Sequence, residues 1–156
     1  MTEYDADGVA AFNVQLIEDF RRNGGQVTLE PLRGQPTVLL HTVGARTGQR
    51  RVTPLAYFID GDRIVVIASK GGAPEHPAWF HNLRAEPQAT VEIGTEAVDV
   101  VAELLTEGLE RQRLYDRMAE LLPQFVEYQT ATDRVIPVVV LARTHPAVRR
   151  DRNGRH

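Results

Sequence analysis

Two pairs of β-rich runs in this chain are joined by turns of only two or three residues, and that spacing restricts the fold more than anything else in the sequence. Arg51 to Ile59 and Arg63 to Ser69 flank Asp60-Gly61-Asp62, and Gln88 to Ile93 and Glu96 to Leu105 flank Gly94-Thr95. A link that short closes a hairpin and leaves no room for the crossover that parallel strands require. The sheet is therefore expected to be largely antiparallel, with scope to close into a small barrel. Two further runs, Thr37 to Val43 and Ile136 to Ala142, bring the expected count to six strands. The second reads IPVVVLA, which is apolar at nearly every position and so suits a strand buried on both faces. Pro54 lies inside Arg51 to Ile59 and marks an edge, a bulge or a strand start, because proline cannot donate to a ladder.

Helices are expected around the sheet. Val9, Phe12, Leu16 and Phe20 recur at spacings of three and four and share one face, which Gly24-Gly25 can terminate. Glu18, Asp19, Arg21 and Arg22 fall on the other face. The apolar stripe has two readings, packing on the domain or contact with a partner or membrane surface. A short helix is expected over Pro77 to Ala85 and a longer one from Glu107 to Leu122, with Leu114, Met118 and Leu121 on its inner face. Pro123 interrupts that helix, and Phe125 to Thr132 follows as a further helical turn.

With 156 residues, 42% apolar and 25% charged, the chain fits one α+β domain with a single core. The expected division is a flexible stretch over 1–8, one domain over 9–144 and a flexible basic tail over 145–156, in which four arginines follow residue 148. No apolar run approaches the ~18 residues of a membrane span, and the start has no signal-peptide pattern. The absence of cysteine excludes disulfides and thiolate chemistry and fits a cytoplasmic protein.

The unusual chemistry is confined to Val43 to Asn82, which holds the only serine (Ser69), the only lysine (Lys70) and the only tryptophan (Trp79). All other basic positions, histidines aside, are arginine, so a single lysine directly before Gly71-Gly72 is a specific choice of a compact, flexible cation. Paired glycines permit positive φ and close approach to a ligand, and backbone N–H groups in such a turn make an anion-binding hollow. Pro77, preceded by His76, suits the first turn of a helix whose positive end would lie nearby. Upstream, Arg46, Arg50 and Arg51 fall within eight residues that contain no acid, in a chain of net charge −3. A local basic loop in an acidic protein points to a specific anionic ligand, whereas nucleic acid would call for a broad basic surface. The plainer reading of both loops is a solvated hairpin and an ordinary turn.

Familiar catalytic motifs are missing. Ser69 lacks the G-x-S-x-G elbow, and there is no phosphate-loop or dinucleotide fingerprint. His76 and His81 are five apart, off a common helix face, and with His41 they make a poor metal set. His81 reads as structural or capping, and Trp79 as a core residue or a pocket wall. Phe125 and Tyr128 precede the last strand and read either as core or as a substrate pocket, where a tyrosine hydroxyl could orient an oxygen or pass a proton.

Three motifs together resemble the deazaflavin-dependent nitroreductase family, small split β-barrel proteins that use coenzyme F420. They are G-A-R-T-G-Q-R-R-V-T-P-L from Gly44, A-S-K-G-G-A-P-E-H-P-A-W-F-H-N-L-R-A-E-P from Ala68, and Y-Q-T-A-T-D-R-V-I-P-V-V-V-L from Tyr128. The resemblance covers about residues 10 to 143. It implies an FMN-binding split-barrel-like fold and an oxidoreductase that moves a hydride from reduced F420 to a quinone-like or nitroaromatic acceptor. It implies that Arg46 and Arg51 hold the cofactor's phosphate and tail, and that Thr53 and Pro54 line the deazaflavin. Ala68, Ser69, Lys70, Gly71 and Gly72 would bind through side chains and backbone, with Trp79 beside them. Relatives often carry lysine where this chain has Arg46, and the best-known nitroreductases have tyrosine at the position of Phe125. Tyr128 is then left as the residue that orients the acceptor. Two other readings stay open: an FMN-dependent reductase on the same barrel, and a deazaflavin-binding protein without turnover. A homo-oligomer and a peripheral membrane contact through the first helix also stay open.

Overall fold

The computed structural model describes residues 6–144. In chain order the elements are α1 (Ala6–Arg22), β1 (Thr37–Val43), β2 (Arg50–Ala56), β3 (Phe58–Asp60), β4 (Arg63–Ile67), α2 (Ala78–Ala85), β5 (Gln88–Ile93), β6 (Glu96–Leu105), α3 (Leu109–Leu121), α4 (Gln124–Thr130) and β7 (Val138–Arg143). The strands form one sheet in the order β2-β1-β5-β6-β7-β4-β3, and every neighbouring pair is antiparallel. Both turn-linked pairs are hairpins as expected: Asp60 pairs with Arg63 and Ile93 with Glu96.

The expected run from Arg51 to Ile59 is two strands, which raises the count from six to seven. It breaks at Tyr57, because Ala56 still pairs with Thr37 of β1 while Phe58 already pairs with Val65 of β4. β2 and β3 are the two outermost strands of the sheet, yet one residue separates them in sequence. The sheet must therefore curl until its edges approach, which makes a half-barrel. Pro54 lies on an edge strand, opposite Leu39, where its missing N–H interrupts no ladder on the outer side.

The curl sorts the apolar side chains into two cores. Val38, Leu40, Ile64, Val66, Val91, Val100, Val139 and Leu141 fill the concave face together with Trp79, Phe80 and Leu83 of α2. On the other face of β4 and β7, Val65, Ile67, Val138 and Val140 pack under Leu114, Tyr115, Met118 and Phe125 of α3 and α4. β4 and β7 are thus covered on both sides, the physical reason their sequences lack alternation. Truncating a fully buried residue such as Leu83 to alanine should cost about 2–5 kcal/mol.

Three expectations need correction. Helix α1 begins at Ala6, inside the stretch expected to be loose. Asp19, expected on the solvent side of α1, is buried: its carboxylate accepts from Thr28 N at 2.7 Å and from Asn23 Nδ2 at 3.0 Å. The hydrogen bonds from the Thr28 side chain and backbone hold that carboxyl below the ordinary carboxylate value. Leu121, expected inward, is exposed. Pro123 redirects the chain there, and Leu122 and Phe125 take the inner space instead. The inner face of α3 also carries Arg111, which is 5% exposed and donates to Ile136 O at 2.7 and 3.0 Å. Its guanidinium lies 4.6 Å from the Tyr115 ring centre. The expectations for residues 1–5 and for the tail over 145–156 lie outside the described residues.

Candidate functional site

The basic loop is the link from β1 to β2. Gly44 N donates to Gln49 O at 2.7 Å and Gly48 N to Gly44 O at 2.9 Å, so residues 44–49 close on themselves. Asn82 of α2 fastens this loop from below: its Oδ1 accepts from Ala45 N at 2.9 Å and its Nδ2 donates to Thr42 Oγ1 at 3.1 Å. Asn82 is 7% exposed, so its bond to Thr42 is buried and its bond from Ala45 partly so. Asn82 is the residue that sequence reasoning passed over most plainly, since nothing local links it to a loop 37 positions upstream.

Loop, strand and helix together frame a cleft of about 1000 Å³. Arg46, Arg51, Thr53 and Trp79 line it, with Ala10, Val14 and Ile17 of α1 as a further wall. Among the described residues, no acidic side chain lines the cleft. Arg46 and Arg51 are exposed and make no ion pair or hydrogen bond through their side chains among the described residues. Arg50, the third cation, also borders the cleft, and its Nη1 lies 3.2 Å from His41 Nδ1, while His41 Nε2 is 2.6 Å from Glu92 Oε2. A guanidinium can only donate, so Nδ1 accepts and Nε2–H donates to Glu92. Hydrogen bonds from Arg21 and then His41 keep the Glu92 carboxyl below its ordinary value.

α2 opens onto the same cleft, because Ala78 and Trp79 of its first turn line it. Trp79 fulfils both readings given to it: the ring belongs to the concave core at 6% exposure and also forms cleft wall. His81 lines the cleft too, with its Nδ1 2.9 Å from Arg84 Nη2.

The Lys70 turn follows β4. Its three residues all adopt positive φ, +48° at Lys70, +63° at Gly71 and +85° at Gly72. The two glycines serve different purposes. A Cβ on Gly71 would meet nothing within 4 Å, whereas one on Gly72 would lie 2.9 Å from Tyr128 O and 3.0 Å from Ala131 Cβ. The close approach expected toward a ligand is thus, at Gly72, an approach to α4. Lys70 Nζ lies 3.0 Å from Glu75 Oε2, and that contact lowers the Glu75 carboxyl below its ordinary value. Ala68 and Ser69 are buried, and neither they nor residues 70–72 line the cleft that holds Arg46 and Arg51. Pro54 does not line it either.

Phe125, one of two residues expected at a substrate pocket, is buried in the outer core at 6% exposure. Its ring meets Tyr128 at 4.9 Å between centres and Tyr115 at 6.5 Å. Tyr115 donates its hydroxyl to Phe125 O at 2.5 Å, and burial pushes that phenol up to about 12. Tyr128 is half-buried, with its phenol raised first by burial and then by Glu127. It touches the Lys70 turn through its backbone beneath Gly72. Among the described residues no group of three or more acidic or histidine side chains could hold a metal.

Comparison with known proteins bears on what such a cleft holds. Residues 14–143 match the family described as F420H(2)-dependent quinone reductase. The F420H(2)-dependent quinone reductase Rv1261c of Mycobacterium tuberculosis is 38% identical over 126 residues, 80% of this chain and 85% of that protein. The solved structure of an F420-H2 dependent reductase, FDR-A, is 40% identical with a TM-score of 0.62, covering 68% of this chain and 93% of that one. A solved structure described as a domain-swapped dimer is 35% identical with a TM-score of 0.64, covering 87% of this chain and 98% of that one.

Proposed function

The chain belongs to the F420H(2)-dependent quinone reductase family, and from that premise we propose that the cleft between α1, the basic loop and α2 grips the cofactor's anionic part while a quinone is reduced beside it. The protein is an oxidoreductase enzyme with coenzyme F420, in its reduced form, as cofactor. When bound, the reduced deazaflavin supplies the hydride.

The observation that carries the reading is the pair Arg46 and Arg51, two exposed guanidinium groups on a cleft of about 1000 Å³ that, among the described residues, has no acidic wall and offers them no ion pair. Such a site favours an elongated anion, and the cofactor carries a phosphate and a polyglutamate tail. Arg46 and Arg51 hold those groups by charge-assisted hydrogen bonds. Thr53 and Pro54 border the ring from β2, and Trp79 supplies an apolar wall. Ala68, Ser69, Lys70, Gly71 and Gly72 present the second cationic turn, where the open side of Gly71 admits a ligand atom. Tyr128 orients the acceptor. Phe125 lies behind it and offers no hydroxyl, which favours quinones over bulky nitroaromatic acceptors. The working domain is a single one that includes all of α1.

Val14, 57% exposed on the α1 wall, gives a lipophilic acceptor or a membrane surface something to meet at the cleft mouth. No helix among the described residues is long and apolar enough to cross a membrane. A homodimer is proposed on the likeness to the domain-swapped dimer.

The test is a fluorescence titration of the folded apo protein with F420 and with FMN, followed by steady-state turnover of reduced F420 with a menaquinone analogue. F420 should bind in preference, and Arg46→Ala with Arg51→Ala should abolish most of that preference. Folded protein that takes up no F420 would sink the assignment of the cleft.

A further inference from the structure

The loop between α4 and β7 carries a guanidinium with an uncommon set of partners. Arg134 donates from Nε to Ala73 O at 2.9 Å, from Nη2 to Ser69 O at 2.8 Å and from Nη1 to Ala68 O at 3.3 Å. The same Nη1 lies 2.8 Å from His76 Nδ1. The three carbonyls bracket Lys70–Gly72, two before it and one after. None of these hydrogen-bond partners is a carboxylate; the carboxylate that acts on the guanidinium through charge is Glu75, which also meets Lys70.

The loop that presents this side chain is itself anchored. Gln129 Nε2 donates to Arg134 O at 2.7 Å, and Gln129 Oε1 accepts from Ile136 N at 3.0 Å and from Arg111 Nη2 at 2.8 Å. The buried guanidinium of α3 therefore braces the loop that braces the turn.

In a trans peptide the carbonyl and the N–H point in opposite directions. Directing Ala68 O and Ser69 O onto Arg134 turns the N–H groups of Ser69 and Lys70 to the far side. Ser69 O also accepts from Gly72 N at 2.8 Å, and Gly71 between them is exposed, with open space where a side chain would be. A planar fork that holds several acceptors at once sets this geometry in a way a point charge cannot.

We propose that Arg134 is the positioning residue of the Lys70 turn. It fixes the peptide orientation that an anion meets and adds positive charge behind it, so it acts on the phosphate and carboxylate part of the cofactor and not on its ring. The inference rests on the cofactor assignment above, and the experiment separates the two.

Wild type, Arg134→Lys and Arg134→Gln are each titrated with F420 and with the deazaflavin riboside that lacks phosphate and tail. Exchange of the Gly71 and Gly72 amides is read by NMR in the apo proteins. Arg134→Lys should weaken F420 about tenfold or more, as expected when a supporting shell lets a binding group shift by a fraction of an ångström. It should leave the riboside within about twofold and should speed amide exchange at the turn. Equal losses for both ligands, or unchanged F420 affinity, would overturn the proposal, because a residue needed only for general stability would act on both alike. If Arg134→Gln does not fold, Arg134→Lys decides. If wild type binds neither ligand, the cofactor site fails, and unchanged amide exchange in Arg134→Lys would then overturn the positioning role independently.

Discussion

Replacing Gly72 by alanine, with Gly71→Ala as its partner, separates the two roles that adjacent glycines have in the Lys70 turn. Both positions have positive φ, so each substitution carries the left-handed penalty of about 1–2 kcal/mol. Only Gly72→Ala adds steric conflict, since its new methyl would fall 2.9 Å from Tyr128 O, 3.0 Å from Ala131 Cβ and 3.2 Å from Tyr128 Cα. Two of those three neighbours are backbone atoms of α4, which cannot rotate aside, so an overpacking cost of about 1–3 kcal/mol is expected in addition. The sum is roughly 2–5 kcal/mol for Gly72→Ala against roughly 1–2 kcal/mol for Gly71→Ala. Urea unfolding at constant m-value would measure both, and thermal midpoints should fall by about 2–4 °C per kcal/mol in a chain of this size. Binding should rank the pair in reverse relative to stability. Gly71→Ala places a methyl on the open face and should weaken F420 more than its small stability loss explains. Equal destabilisation by the two substitutions would refute the argument that α4 packs against Gly72.

Four other outcomes are expected. Asn82→Ala strands Ala45 N–H and the Thr42 hydroxyl, so it should cost about 1–3 kcal/mol and loosen the Arg46 loop, seen as weaker F420 binding with a faster off-rate. Glu75→Gln removes the carboxylate that meets Lys70 and should tighten F420 binding, most clearly at low salt; unchanged affinity would mean that Lys70 does not face the ligand. Asp19 is depressed by Thr28, so its stabilising effect is present above the unfolded value near 3.8 and is lost as pH falls through the lower folded value. Asp19→Asn should therefore flatten the acid limb of the stability curve below about pH 4, read by circular dichroism. Tyr128→Phe should lower kcat/KM for a quinone about tenfold with F420 affinity unchanged, and equal turnover would remove Tyr128 from the acceptor site.

Local chemistry alone determined a good deal of this protein. Turns of two or three residues can only return a chain beside itself, so the hairpins at Asp60-Gly61-Asp62 and Gly94-Thr95 were legible, as was the doubly buried character of IPVVVLA. The three motifs that carry the resemblance were legible too, because they are runs of contiguous residues. What the tertiary structure decided depends on groups that meet from far apart. Tyr57 becomes the point where the sheet curls its two edges together only because β1 and β4 claim its neighbours. Asp19 moves inside and Leu121 outside according to what Thr28 and Phe125 place against them. The division of labour between Gly71 and Gly72 is invisible until α4 lies beneath one of them. Asn82 and Arg134 reach 37 to 66 positions along the chain to hold the two cationic loops. Periodicity reports which face of an element is apolar, but backbone carbonyls and N–H groups look alike in every sequence, and only the folded chain shows which of them a distant side chain has taken.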